Sequence, residues 1–219
     1  MIVAFLSQKG GVGKSTLALS VAYEWMYRGR NVLLVDADPQ GTCRVAADVS
    51  REVGHEAPTI IGMGATLHRP NELPKLAKSY DDVIIDTPAG VGEVPQAALM
   101  VTDVAIVPAA PGLDAWSVSR TVDLVKMARQ GRRPDMLAAI VVARKIPGTN
   151  LGHGARKVLG EAGLPVFKAE TCNRIAWSEA PLSGLGLTKY EPDAPAALEL
   201  TAMVDELARF AKKPVRRTA

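Results

Sequence analysis

Lys9, Lys14, Ser15 and Thr16 stand in one glycine-rich string, Lys9-Gly10-Gly11-Val12-Gly13-Lys14-Ser15-Thr16, directly after an apolar run from Ile2 to Leu6. Residues of these types in this order suit a phosphate-binding loop between a strand and a helix. The common form is G-x-x-x-x-G-K-[S/T], and here Gln8 and Lys9 open the loop instead. Gly10, Gly11 and Gly13 let the backbone curl so that successive N–H groups converge on an anion. The helix that follows adds the positive end of its dipole. Lys14 can reach the β- and γ-phosphates, and Ser15 can ligate Mg²⁺. Lys9, five residues before Lys14, points away from its own helix and could reach a nucleotide held by a second subunit. A glycine-rich loop is often only a tight turn, and a lone lysine is usually a solvated charge. The complete string is far more specific than either.

Two more polar segments follow apolar runs. Asp36-Ala37-Asp38-Pro39-Gln40-Gly41 comes after Val32–Val35, and Asp86-Thr87-Pro88-Ala89-Gly90 comes after Val83–Ile85. An acid at a strand end beside a phosphate loop holds Mg²⁺ directly or through water, and Asp86 fits that role. Asp36 and Asp38 lie two apart on an extended segment, so their side chains share a side. One can support the metal's water shell while the other orients an attacking water. Asp-Pro and Pro-Gln-Gly are also plain turn chemistry. Three polar strand ends together are better explained by a Mg²⁺–nucleotide site.

The elements that must position these groups alternate. Strands are expected at Ile2–Leu6, Val32–Val35, Thr59–Ile61, Val83–Ile85, Val104–Val107, Leu137–Val142 and Pro165–Phe167. Helices are expected near Ser15–Arg28, Glu72–Ser79, Pro95–Val101, Ala115–Arg129, Gly152–Ala162, Ile175–Leu182 and Ala194–Ala211. Arg51 to Pro70 is the least regular stretch and is expected to hold a short helix or loop. Strand runs that are apolar throughout are buried on both faces. The expected fold is therefore α/β, a mostly parallel twisted sheet with helices on both sides, with ligands at the carboxyl ends of the strands.

The 219 residues suffice for one domain with a full core, expected over residues 1–211, with a basic tail over 212–219. No apolar run approaches the roughly 20 residues that cross a bilayer. The chain starts on a strand without a cleavable leader, so a cytoplasmic location is expected. Cys43 and Cys172 form no C-x-x-C and read as thiols of a reducing compartment. A net charge of +3 says little about nucleic acid. Arg129, Arg132 and Arg133, and the tail Lys212-Lys213-Pro214-Val215-Arg216-Arg217, are candidate phosphate contacts. Trp25, Trp116 and Trp177 read as packing residues.

Taken together, these segments resemble the ParA/MinD group of P-loop ATPases with a deviant Walker A box, over nearly the whole chain. Lys9 to Thr16 resembles the deviant box with its signature lysine. Asp36-x-Asp38-Pro39-Gln40-Gly41 resembles switch I of partition ATPases, with Thr42 in place of the usual Asn, and Asp86-Thr87-Pro88 resembles switch II. Asn173-Arg174-x-x-x-Ser178-Glu179-Ala180-Pro181 and Tyr190-Glu191-Pro192 resemble the C-terminal stretch of bacterial ParA proteins near the adenine. Val107-Pro108-Ala109-Ala110-Pro111 with Leu113-Asp114, and Ala143-Arg144-Lys145-Ile146, are similar to the small plasmid ParF type. With the first strand at the start of the sequence, the helix-turn-helix extension of large plasmid ParA proteins is not expected here.

The resemblance implies ATP and Mg²⁺ binding, and a homodimer closed face to face around two nucleotides. It further implies sequence-independent DNA binding, with nucleoid association in the ATP state. A ParB- or ParG-like centromere-binding or cargo adaptor protein would stimulate slow hydrolysis. Lys9 would contact phosphate across the dimer. Lys14 would hold the β/γ-phosphates, Ser15 would ligate Mg²⁺ and Thr16 would contact the α-phosphate. Asp38 would position the attacking water, Asp36 and Asp86 would support Mg²⁺ through water, and Asn173 and Pro192 would lie near the adenine. Arg144, Lys145, Arg156, Lys157, Lys168, Arg174 and Lys189 are the candidate DNA contacts beside the tail.

Positioning of another cargo by the same cycle is the main alternative. A MinD-like membrane cycle would need a bulky amphipathic C-terminal helix. Here Leu198, Leu200, Val204, Leu207 and Phe210 read instead as the inward stripe of a docked helix, so no stable membrane association is expected.

Overall fold

The structure is a computed structural model and describes residues 1–112, 115–131 and 133–212, without the side chains of residues 115–117. Leu113, Asp114, Arg132, the ring of Trp116 and the tail beyond Lys212 lie outside the described residues.

Strands and helices alternate as β1 (Ile2–Phe5), α1 (Lys14–Tyr27), β2 (Val32–Asp36), α2 (Thr42–Glu52), β3 (Thr59–Gly62) and α3 (Leu73–Leu76). After a short 3₁₀ turn come β4 (Asp82–Asp86), α4 (Glu93–Leu99), β5 (Val104–Ala109), α5 (Ala115–Gln130), β6 (Leu137–Val142) and α6 (Asn150–Gly160). The chain ends with α7 (Ala176–Leu182), α8 (Leu187–Tyr190) and α9 (Pro195–Ala211). The sheet order is β3-β2-β4-β1-β5-β6, and its pairs are parallel.

Alternate residues of each strand feed two separate cores. Val3, Phe5, Leu34, Ile84 and Ile106 pack on one side with α1 and the inward stripe of α9. Ala4, Leu33, Val35, Ile85 and Val107 pack on the other with α4, α5 and α6. This two-faced burial is what uniformly apolar strands require.

Three expectations need correction. Pro165–Phe167 is not a strand, because Val166 forms only an isolated bridge with Ile140; the run is short and Pro165 has no N–H for a ladder. Helix α2 occupies Thr42–Glu52, where no helix was expected. Its buried side is Cys43, Ala46, Ala47 and Ser50, with Arg44, Asp48 and Arg51 exposed opposite, an amphipathic helical pattern made without large apolar residues. Leu198 is 60% exposed and so does not belong to the inward stripe of α9, whereas Leu200, Val204, Leu207 and Phe210 are buried.

Candidate phosphate and metal site

The loop after β1 curls as its glycines allow. Gly11 and Gly13 take φ of 76° and 96°, a region that side-chain-bearing residues avoid. Gly13 caps α1, and Lys14 is its first residue. Val12 is buried beneath the loop. Gly10 and Lys9 are exposed on its rim, where the Lys9 N–H donates to Ser7 Oγ at 3.3 Å. Gln8 N–H donates to Thr121 Oγ1 at 3.0 Å, tying the loop to α5.

Lys14 is 6% exposed. Burial pushes its ammonium below the ordinary lysine value, against the opposing pull of the Asp86 and Asp38 charges. The loop lysine is thus desolvated but faces the two acids expected to share its site. Ser15 and Thr16 follow on the first turn of α1 and are half-buried.

Sheet register sets the acids side by side. Asp36 ends β2 and Asp86 ends β4, and the two are Cα partners. Both are buried, and each has one carboxylate oxygen, Oδ1, without a hydrogen-bond partner. Buried oxygens left unpaired are costly, so the arrangement suits a ligand that supplies the missing contacts. Burial pushes the Asp86 carboxyl up to about 6, against hydrogen bonding from Ser15 and the charge of Lys14. The Cys43 thiol, held up by burial, lies 3.5 Å from Asp86 Oδ2.

Beyond β2 the chain leaves the strand. Asp38 Oδ1 accepts from Gln40 N–H at 3.0 Å, and Asp38 O accepts from Gly41 N–H at 3.0 Å. Asp38 therefore sits on a turn rather than on a continued strand, yet it lines one open depression with Asp36. Thr87 Oγ1 donates to Phe5 O at 2.9 Å, fastening the segment after β4 to the strand that launches the loop.

Arg44 was not singled out from the sequence. Its N–H donates to Asp36 Oδ2 at 3.1 Å, and its Nε lies 3.6 Å from the same oxygen. The guanidinium lies over Gly41 and Gly62, where added Cβ atoms would stand 2.8 and 3.3 Å from it. A cation soon after a strand-end acid was the available signal, but it depends on α2 beginning at Thr42.

A small pocket of about 110 Å³ opens on the other side of Gly13 and Thr16. Thr171, Asn173, Arg174, Trp177 and Arg144 help to line it. Asn173 is exposed there, with its backbone N–H on Lys145 O at 2.8 Å. Pro192 lies in the exposed turn before α9 and does not line this pocket. Trp177 is a buried packing residue, as expected, but it also forms part of the pocket wall.

Many of the candidate DNA-contacting cations have partners within the chain. Lys145 and Arg156 both pair with Glu170 at 2.6 Å, and Arg174 pairs with Glu199 at 2.7 Å. Lys189 lies 4.3 Å from the Tyr27 ring centroid. Arg133 pairs with Asp103 at 3.0 Å, and Arg129 donates to Met136 O at 2.8 Å. Among the described residues, no helix is long and apolar enough to cross a membrane.

Known proteins resemble this arrangement. Maintenance of carboxysome distribution protein A of Halothiobacillus neapolitanus is 28% identical over 84% of this chain and 85% of its own length. Chromosome partitioning protein ParA of Myxococcus xanthus is 26% identical over 100% of this chain and 92% of its own. The ATP complex of a Cyanothece McdA variant superposes with a TM-score of 0.77 at 17% identity, covering 94% of this chain and 96% of that one. That likeness establishes the fold. The CobQ/CobB/MinD/ParA nucleotide binding domain matches residues 3–188, and the chain belongs to this family of ParA/MinD-type P-loop ATPases.

Proposed function

We propose that the chain is an ATP-dependent partition ATPase, a switch that dimerises around ATP, holds DNA without sequence preference and lets go after hydrolysis. The observation that carries the nucleotide part is the pair of unpartnered buried oxygens on the neighbouring Asp36 and Asp86, with the Asp86 charge acting on Lys14. The donor set fits Mg²⁺, a hard cation that keeps several waters and takes few protein ligands. Ser15 would ligate it, while Asp36 and Asp86 would hold its water shell. Bound Mg²⁺ supplies charge neutralisation at the β- and γ-phosphates.

The chain's own groups do the rest by position and charge. Loop N–H groups and Lys14 cradle the phosphates, and Thr16 contacts the α-phosphate. Asp38 orients a water in line with the γ-phosphorus and accepts its proton as the new P–O bond forms. Lys14 holds the departing β-phosphate oxygen. Lys9, on the rim, offsets phosphate charge across a closing dimer. Asn173 lies toward the base. Kinship to the Myxococcus ParA supports the DNA-segregation role, with a ParB- or ParG-like partner as the stimulator. A second cargo is favoured by one specific finding, the similarity to a carboxysome distribution protein. In that case the same cycle would position a protein body through its own adaptor.

Light scattering and a DNA titration, each with ATP and with ADP, test the cycle. Wild type should dimerise and bind DNA with ATP only, and binding should fall steeply with salt. Asp38→Ala should keep ATP but lose about 10²-fold or more of its turnover. Lys9→Ala should bind ATP as a monomer without dimerising. DNA binding equal in both nucleotides, together with a dimerising Lys9→Ala, would reject the switch.

A further inference from the structure

Among the described residues, Arg144 is alone outside glycine in taking a left-handed backbone, with φ of 54°. That conformation brings Cβ against the neighbouring carbonyl and is unfavourable for any L side chain. An outlier of this kind persists when the surroundings use it. Here it follows β6 after Ala143, and the side chain crosses to the phosphate loop, 133 residues away in sequence. Nη1 donates to Gly11 O at 2.5 Å. The side-chain carbons Cγ and Cδ lie 3.8 and 3.9 Å from where a Cβ on Gly13 would stand. These are ordinary packing distances, so the arginine stem lies against the loop at Gly13, whose own requirement for glycine is its φ of 96°.

Three cations cluster at this end of β6, and two are neutralised. Lys145 is paired with Glu170 and Arg174 with Glu199. Among the described residues no carboxylate pairs with Arg144, and the Gly11 carbonyl engages one of the guanidinium's five donors. Arg144 also lines the pocket that contains Thr16, Asn173 and Trp177. Asp36 and Asp38 line a different depression. The uncompensated charge thus stands on the side of the loop away from the acids.

We propose that Arg144 holds bound nucleotide where the phosphate loop meets the base pocket, its backbone kept left-handed so that the guanidinium lies over the ligand. The inference rests on the nucleotide reading given above. A guanidinium fork there can donate to phosphate or ribose oxygens or lay its plane on a purine. Those parts are common to ATP and ADP, so Arg144 contributes equally to both and does not read the γ-phosphate.

Arg144→Gly tests this cleanly, because glycine accepts the same φ without strain. Calorimetry should show affinity for Mg-ATP and Mg-ADP both falling by about tenfold, the worth of one charge-assisted contact. The ATP-to-ADP ratio should stay constant. The Tm of the nucleotide-free variant should be equal to or above that of wild type. Wild-type ADP affinity in the variant would overturn the inference. So would a variant whose nucleotide-free Tm falls along with its affinity, which would make Arg144 a brace of the loop. If the wild-type protein itself bound neither nucleotide, the nucleotide reading would fall first, and the two failures are therefore distinct.

Discussion

The strand ends around Lys14 and the basic surface beyond β6 treat charge in opposite ways. At the strand ends, Asp36 and Asp86 are buried, adjacent and each left with one unpartnered oxygen. Beyond β6, Lys145, Arg156 and Arg174 are matched by Glu170 and Glu199 within the chain. Buried groups with unmet contacts can be completed by a ligand, and leaving such groups unmet costs stability. A surface of paired charges is already complete, and each exposed pair contributes little. The difference favours the strand ends and Arg144 as the proposed place of recognition, and it makes the individual surface cations weak candidates for a dedicated contact.

The largest expected effect lies at the centre of the unpaired region. Lys14→Ala removes the desolvated cation of the glycine-rich loop, and on the proposed reading ATP affinity should fall by roughly 100-fold or more in a calorimetric titration. A variant that binds like wild type would erase the contrast at its strongest point.

Asp86→Asn gives a middle-sized effect with two opposite signs. The Asp86 carboxyl is pushed from 3.8 up to about 6, chiefly by burial. Between those values the native state keeps a proton that the unfolded chain has released, so stability falls as pH rises through this window. The asparagine variant lacks that fall. In EDTA without nucleotide it should unfold about 1 kcal/mol later than wild type at pH 7, while needing more Mg²⁺ to bind ATP. Equal melting profiles from pH 4 to pH 7 would show that Asp86 is satisfied as it stands.

The smallest effect belongs to the paired surface. Arg156→Ala should cost no more than about 1 kcal/mol of stability. It should leave DNA affinity within about threefold and the salt slope unchanged, since a true phosphate contact would lower that slope by about 1. A lowered slope would break the comparison by showing that the Glu170 pair opens for DNA.

Much of the site was legible because its parts are local. The string from Lys9 to Thr16 carries its own turn glycines, its cation and its helix start within a few residues. Strands such as Leu137–Val142 were visible for a similar reason, since a run buried on both faces is apolar at every position. Helix α2 was not legible. Its core side is made of Cys43, Ala46, Ala47 and Ser50, residues too small to stand out, and the turn chemistry of Asp38 to Gly41 masked its start. Arg44 was missed along with it. The stripe assigned to α9 failed only at Leu198, because one exposed leucine looks the same in sequence as a buried one.

The sequence by itself determined which candidate groups are present, a glycine-rich loop with its lysine and two strand-end acids, and the alternation that demands a parallel sheet with two cores. Each follows from residue type and short-range spacing. Only the tertiary structure decided which distant groups meet. It set Asp36 beside Asp86 through the β2–β4 register, gave the surface arginines their carboxylate partners, and laid Arg144 over a loop 133 residues away. Such pairings depend on how strands and helices pack across the fold, and a side chain's neighbours along the chain do not specify its neighbours in space.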